Sequence, residues 1–168
     1  STKPVVYICN VDENSALSGN EYTKKIDEYA KENNSEVLLI SAKIESEISQ
    51  ISDIQDKQDF LESLGLKETG LKRVIKKGYE ILNYINYFTA GEKELRAWTI
   101  TKGTFAPSAA GTIHSDMEKG FIRAETISYD DYIANNGEAG AKEKGKLRLE
   151  GKEYEVKDGD VMHFLFNV

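Results

Sequence analysis

Two short apolar runs, Val5-Val6-Tyr7-Ile8-Cys9 and Val37-Leu38-Leu39-Ile40, flank a stretch with helical spacing. That order constrains the fold more than any other feature of the chain. Pro4 can open a strand but cannot lie inside one. Asn14 to Gly19 reads as a polar loop. Beyond it Tyr22, Ile26, Tyr29 and Ala30 recur at helical spacing, and Asn33-Asn34 closes the helix. Strand, helix, strand predicts a β-α-β unit, and hence parallel strands.

The rest of the first half reads as helix. Segments are expected near Ile44 to Ser49 and from Ile54 to Leu64, with Gly65 at a helix stop. Leu71, Val74, Ile75, Tyr79 and Leu82 mark an amphipathic helix ending near Asn83, and a domain boundary is expected there. The second half changes character. Tyr87 to Ala90 and Leu95 to Ile100 read as strands around a turn at Gly91. Pro107 to His114 reads as a short helix, with Pro in a tolerated first-turn position. Phe121 to Ile127 is expected as a strand, and Tyr129 to Asn135 and Glu138 to Lys144 as short helices. Leu147 to Leu149 and Tyr154 to Val156 read as a hairpin around Glu150-Gly151-Lys152, with a last strand from Val161. A small mixed sheet crossed by a helix, an α+β layout, is the expected result.

The 168 residues suit one medium domain or two small ones, and 39% hydrophobic content suffices for real cores. A formal net charge of −7, from 22 basic and 29 acidic residues, argues against a generic basic nucleic-acid footprint. One cysteine excludes an intramolecular disulfide framework. No apolar run reaches bilayer-spanning length and no signal-peptide pattern opens the chain, so a soluble, cytoplasmic protein is expected. A chain opening directly on a strand of buried character, without Met, reads as part of a longer protein.

The chemistry gathers at the ends of the two apolar runs. The first ends in Asn10-Val11-Asp12-Glu13, the second in Ser41-Ala42-Lys43. P-loop GTPases build a base pocket this way, from an Asn-x-x-Asp loop and a Ser-Ala-Lys loop after adjacent strands. There the Asp accepts hydrogen bonds from guanine N1–H and the exocyclic amine. Adenine lacks that amine, and its N1 is an acceptor, so such a site rejects it. Here Glu13, one methylene longer, stands at the Asp position, which removes the guanine-specific pair of bonds.

Many blocks then identify a family. They include Tyr87-Phe88-Thr89-Ala90-Gly91, Leu95-Arg96-Ala97-Trp98-Thr99, Asp116 to Ala124, Gly137 to Glu143, Val156 to Met162 and Phe166-Asn167-Val168. In this order they resemble the C-terminal part of the Obg-like ATPases of the YchF type, nearly end to end. The resemblance implies the α/β end of a P-loop G domain over residues 1–83. Over 84–168 it implies an α+β TGS domain, a β-grasp, ubiquitin-like module. The family's P-loop, magnesium switches and coiled coil lie upstream of these blocks.

By the same resemblance, Asn10, Val11, Glu13, Ser41, Ala42 and Lys43 surround the base, with ATP preferred over GTP. Asn10 bonds the base and ties the two loops together. Intact family members hydrolyse ATP with magnesium and associate with ribosomes as regulatory switches. Without a phosphate cradle, this chain is expected neither to hydrolyse ATP nor to hold it or magnesium tightly. The alternative is a non-enzymatic TGS module binding RNA, ribosome or protein. Its candidate contacts are the locally basic Lys142, Lys144, Lys146, Arg148 and Lys152, with Trp98, Phe121, Tyr129 and Tyr132 as stacking surfaces if exposed.

Other signals are weaker. Gly140 to Leu147 formally fits G-x-x-x-x-G-K, but a strand follows it and Leu147 replaces the metal-binding hydroxyl. His114, Asp116 and Glu118 are metal-ligating by type, yet one i, i+4 pair is too little, and a helix-end cap is the plainer reading. His163 reads as a strand residue and Cys9 as strand filler.

Overall fold

In the computed structural model, residues 3–91 and 94–167 are described, so Val168 of the closing block lies outside them. The chain divides into two compact units, Ser1–Leu82 and Asn83–Val168.

The first unit runs β1 (Val6–Asn10), α1 (Glu21–Glu32), β2 (Glu36–Ile40), α2 (Ala42–Gln50), α3 (Ile54–Ser63) and α4 (Gly70–Ile81). The strands pair in parallel, Val6 opposite Glu36 through Asn10 opposite Ile40. Three of the four helices start at a side-chain cap. Asn20 and Thr23 form a reciprocal capping box on α1, and the Asp53 carboxylate accepts from Gln55 and Asp56 N–H on α3. Thr69 caps α4 and the Glu45 carboxylate accepts from Gly70 and Leu71 N–H, which anchors α4 to α2. Gly65, at φ 70°, turns the chain after α3, where a side chain would be strained. Buried Ile44, Ile48, Leu61, Leu66 and Ala16 form a core built by helices and loops.

The second unit contains β3 (Tyr84–Ala90), β4 (Leu95–Thr101), α5 (Ala106–Ile113), α6 (Ser115–Lys119), β5 (Phe121–Ser128), α7 (Tyr129–Ala134), α8 (Glu138–Glu143), β6 (Arg148–Glu150) and β7 (Asp160–Phe166). Its sheet is mixed, in the order β4-β3-β7-β5-β6. β3 and β7 are parallel, and the other pairs are antiparallel. Tyr87, Ile100, Phe121, Ala124, Met162 and Phe164 meet Ala106, Ala109 and Ala110 of α5 in one continuous core. The small residues let α5 approach the sheet closely. The Tyr87 hydroxyl, buried with its ring, donates to the Ala109 carbonyl and pairs with Thr112 Oγ1.

The structure corrects three sequence readings. The expected hairpin does not form: Arg148–Glu150 pairs with β5, while Glu155 bridges Phe105. A polar knot holds that arrangement. Buried Asp160 accepts from the Tyr154 hydroxyl at 2.7 Å and from Lys157 N–H at 2.9 Å, and Arg148 reaches both Tyr154 and Asp160. β3 begins at Tyr84, three residues before the expected start, because Tyr84 to Asn86 pair with Thr99 to Thr101. A short helix, α6, follows the Pro107 segment, with His114 as its cap. Among the described residues no helix is long and apolar enough to cross a membrane.

A purine-site candidate at the ends of two parallel strands

Parallel pairing places the C-terminal ends of β1 and β2 side by side, so the segments leaving them share one edge of the sheet. Open parallel sheets bind ligands at that edge. Asn10 closes β1, and its Oδ1 accepts the Ala42 N–H at 3.0 Å, across to the first residue of α2. Val11 N–H donates to the Ile40 carbonyl at 2.8 Å. These two bonds stitch the segments together at the backbone. Asp12 caps a 3₁₀ turn, Glu13–Ser15, by accepting from Ser15 N–H and Oγ. Ser41 is buried, and its hydroxyl has no hydrogen-bond partner among the described residues. Burying such a group costs free energy unless a partner is found.

Glu13 and Lys43 face each other across the two segments, Oε1 to Nζ at 2.5 Å. The Lys43 hydrogen bond holds the Glu13 carboxyl below its usual range, and the Glu13 bond raises the Lys43 ammonium. Both side chains are partly exposed, so the pair fixes geometry more than it stabilises the fold. Sequence reasoning named both residues without pairing them. The signal was available: in a register of Asn10 opposite Ile40, Glu13 and Lys43 each lie three residues beyond the strand end. All six predicted residues therefore lie on these two adjoining segments.

The basic residues of the second unit are placed less uniformly. Lys142, Lys144 and Lys152 are exposed, on α8, just after it, and on the turn after β6. Lys146 pairs with Asp131 at 3.3 Å. Arg148 is engaged with Glu150, Tyr154 and Asp160. Of the aromatic candidates, Phe121 is a core residue, packed against Phe164, and offers no stacking surface. Trp98 is half-buried under the Arg96 guanidinium, 4.1 Å from its ring centre, and Tyr129 is exposed.

The G-x-x-x-x-G-K match begins inside a helix and ends in the turn after it. Gly140 lies inside α8, where a Cβ would collide with the Asn135 carbonyl, so the glycine serves packing. His114 Nδ1 accepts Asp116 N–H as the cap of α6, and Glu118 accepts from Ser108. Among the described residues no group of three or more His, Cys, Asp or Glu side chains is placed to hold a metal ion. His163 is exposed on β7 and Cys9 is half-buried on β1.

The chain is similar to known proteins over its whole length. Residues 84–167 match the family model YchF-GTPase_C, described as a protein of unknown function (DUF933). The chain is 56% identical over 170 residues to the ribosome-binding ATPase YchF of Bacillus subtilis, covering all of this chain and 46% of that protein. It is 55% identical over 166 residues to the protein of the same name from Haemophilus ducreyi, covering 99% of this chain and 45% of the relative. It thus spans about half the length of the curated relatives it matches. The structure of the Schizosaccharomyces pombe YchF GTPase superposes with a TM-score of 0.82 at 36% identity, over 97% of this chain and 43% of that one. With a family model over its second unit and relatives over its whole length, this chain belongs to the YchF family.

Proposed function

We propose that the first unit, the end of an OBG-type G domain, carries the purine-recognition part of a nucleotide site that prefers ATP to GTP. The observation that carries this reading is the Asn10–Ala42 bond, which ties the two segments leaving adjacent parallel strands into one frame. On that frame Asn10 also bonds the base, and Val11 lines its face. Ser41 and Ala42 present backbone groups to the purine six-position, and Lys43 flanks it. Glu13 replaces the acid that would select guanine. The phosphates and their magnesium are held by parts of the family protein other than these residues, and ATP hydrolysis belongs to that whole protein in the cytoplasm. The second unit is a TGS domain of β-grasp type. It supplies ribosome or RNA contact, with the exposed Lys142, Lys144 and Lys152 as candidate contacts. Support for ribosome contact comes from the names of the relatives.

Amide chemical shifts of the chain, titrated with Mg-ATP and Mg-GTP, test the site. Millimolar ATP is expected to move the signals of residues 10–13 and 41–43, with GTP weaker. Calorimetry at micromolar concentrations is expected to be silent, because most nucleotide affinity in such sites comes from the phosphates. Shifts confined to other surfaces overturn the reading. Micromolar affinity overturns the assignment of phosphate binding to other parts. Co-sedimentation with ribosomes tests the second unit: pelleting without nucleotide, lost on replacing the three lysines by Glu, is the expected result.

A further inference from the structure

We propose that Lys43 is a positioning residue for base preference: it holds the Glu13 carboxylate in an ion pair, off the hydrogen-bonding edge of a bound purine. The proposal rests on the purine-site reading above. Glu13 and Lys43 come from different segments, yet their backbones are fixed relative to each other. The Asn10–Ala42 and Val11–Ile40 bonds join the segments. Asp12 locks the turn that begins at Glu13, and Lys43 lies in the first turn of α2. Only the two side chains remain adjustable, and they meet at 2.5 Å.

The chemistry of a free carboxylate at this place is two-sided. It would accept from guanine N1–H and the exocyclic amine, and it would repel the lone pair on adenine N1. A longer side chain alone does not prevent this, because Glu can fold back to where a shorter Asp reaches. An opposing ammonium does, since the carboxylate must give up a charge-assisted bond to turn toward the base. The other nearby charges do not compete for that role. Asp12 spends its oxygens on Ser15, and Glu47, one turn along α2, attracts Lys43. Loss of Glu13 therefore leaves Lys43 a second acidic neighbour.

The test uses the chain itself with adenosine and guanosine as probes, which removes the phosphates from the measurement. The amides of Val11 and Ala42 report binding. Lys43→Met is expected to shift the guanosine-to-adenosine affinity ratio toward guanosine by about fivefold, the scale of one charge-assisted hydrogen bond at an exposed site. Lys43→Arg, which retains the pair, is expected to keep the ratio within about twofold of the parent. Lys43→Gln, a polar replacement that also removes the ammonium, is expected to shift the ratio in the same direction, and it serves if the Met variant fails to fold. In Lys43→Met with Glu13→Gln the shift disappears. One result overturns the proposal while leaving the site reading intact: adenosine binding with an unchanged ratio in Lys43→Met and Lys43→Gln. No response of Val11 or Ala42 to either nucleoside in any of these proteins overturns the site reading itself, and the proposal with it.

Discussion

No residue of β1 or β2 is buried, whereas four of the five strands of the second unit place at least one side chain in its core. Parallel strands are ordinarily covered on both faces. In the first unit, Val5 and Ile8 are exposed instead, together with Tyr22, Ile26 and Tyr29 along α1. The core there is made by α2, α3 and the turns around them. The strands contribute something different: their ends carry the residues of the proposed purine site, and their parallel register sets which of these face one another. The second unit inverts the relation, since its sheet is its core and its polar features lie around it. Stability and recognition thus fall on different elements in the two halves.

Truncating the centre of the second core gives the largest expected effect. Phe164 is buried edge-to-face against both Tyr87 and Phe121. Phe164→Ala is expected to cost about 3–5 kcal/mol in urea unfolding followed by the Trp98 signal. If the two units are independent stores of stability, hydrogen exchange of the first unit's amides stays as in the parent. Accelerated exchange there would break the comparison.

Ile44→Ala is the counterpart in the first unit and is expected to cost about 2–4 kcal/mol, less because a smaller side chain leaves a smaller cavity. Exchange should quicken through α2 and α3 first. If β1 and β2 open no earlier than in the parent, the strands hold together without the helical core, and the division of labour between strands and helices is wrong.

How much of this was readable in the chain depended on whether local or distant contacts decide each element. Three of the four helices of the first unit, α1, α3 and α4, start at residues that cap them, so spacing and caps suffice there. The hairpin expected at 147–156 failed because apolar alternation cannot say which neighbour a three-residue strand takes. Arg148, Tyr154 and Asp160 settle that through a knot joining residues twelve apart. The site residues were nameable because they follow two recognisable strands. Their pairing was not named, since Glu13 and Lys43 meet only through the parallel register, thirty residues apart. The α6 helix is hidden for a related reason: in sequence His114 reads as a metal ligand or a cap of the preceding helix, whereas it starts a new one.

The second core also carries a titration that the first lacks. Burial raises the Tyr87 phenol to about 12 from its ordinary value near 10. The folded state therefore favours the protonated phenol. Its contribution is complete below the unfolded value, declines as pH rises from there, and is lost as pH passes about 12. Tyr154 is raised as well, chiefly by burial and then by its bond to Asp160, and acts in the same sense. Tyr87→Phe is expected to cost about 1 kcal/mol at neutral pH through the lost hydroxyl bonds. The variant should also flatten, without abolishing, the fall in stability above pH 10. Equal slopes in parent and variant would remove Tyr87 from the account.

The smallest effect should be the most local. Asn10→Ala deletes the acceptor for Ala42 N–H at an exposed position, where water can replace it, so global stability is expected to fall by at most about 1 kcal/mol. The change should instead appear at one amide: exchange of Ala42 rises, while Val11, still bonded to the Ile40 carbonyl, changes little. Since the Glu13–Lys43 pair spans the same two segments, loosening Ala42 should also weaken it, moving the Glu13 carboxyl back up toward its ordinary value. A carbon-detected titration of Glu13 in parent and Asn10→Ala measures this directly. A rise in the variant means that the backbone frame enforces the ion pair. An unchanged titration means that the pair forms on its own, and the strand ends then contribute proximity alone.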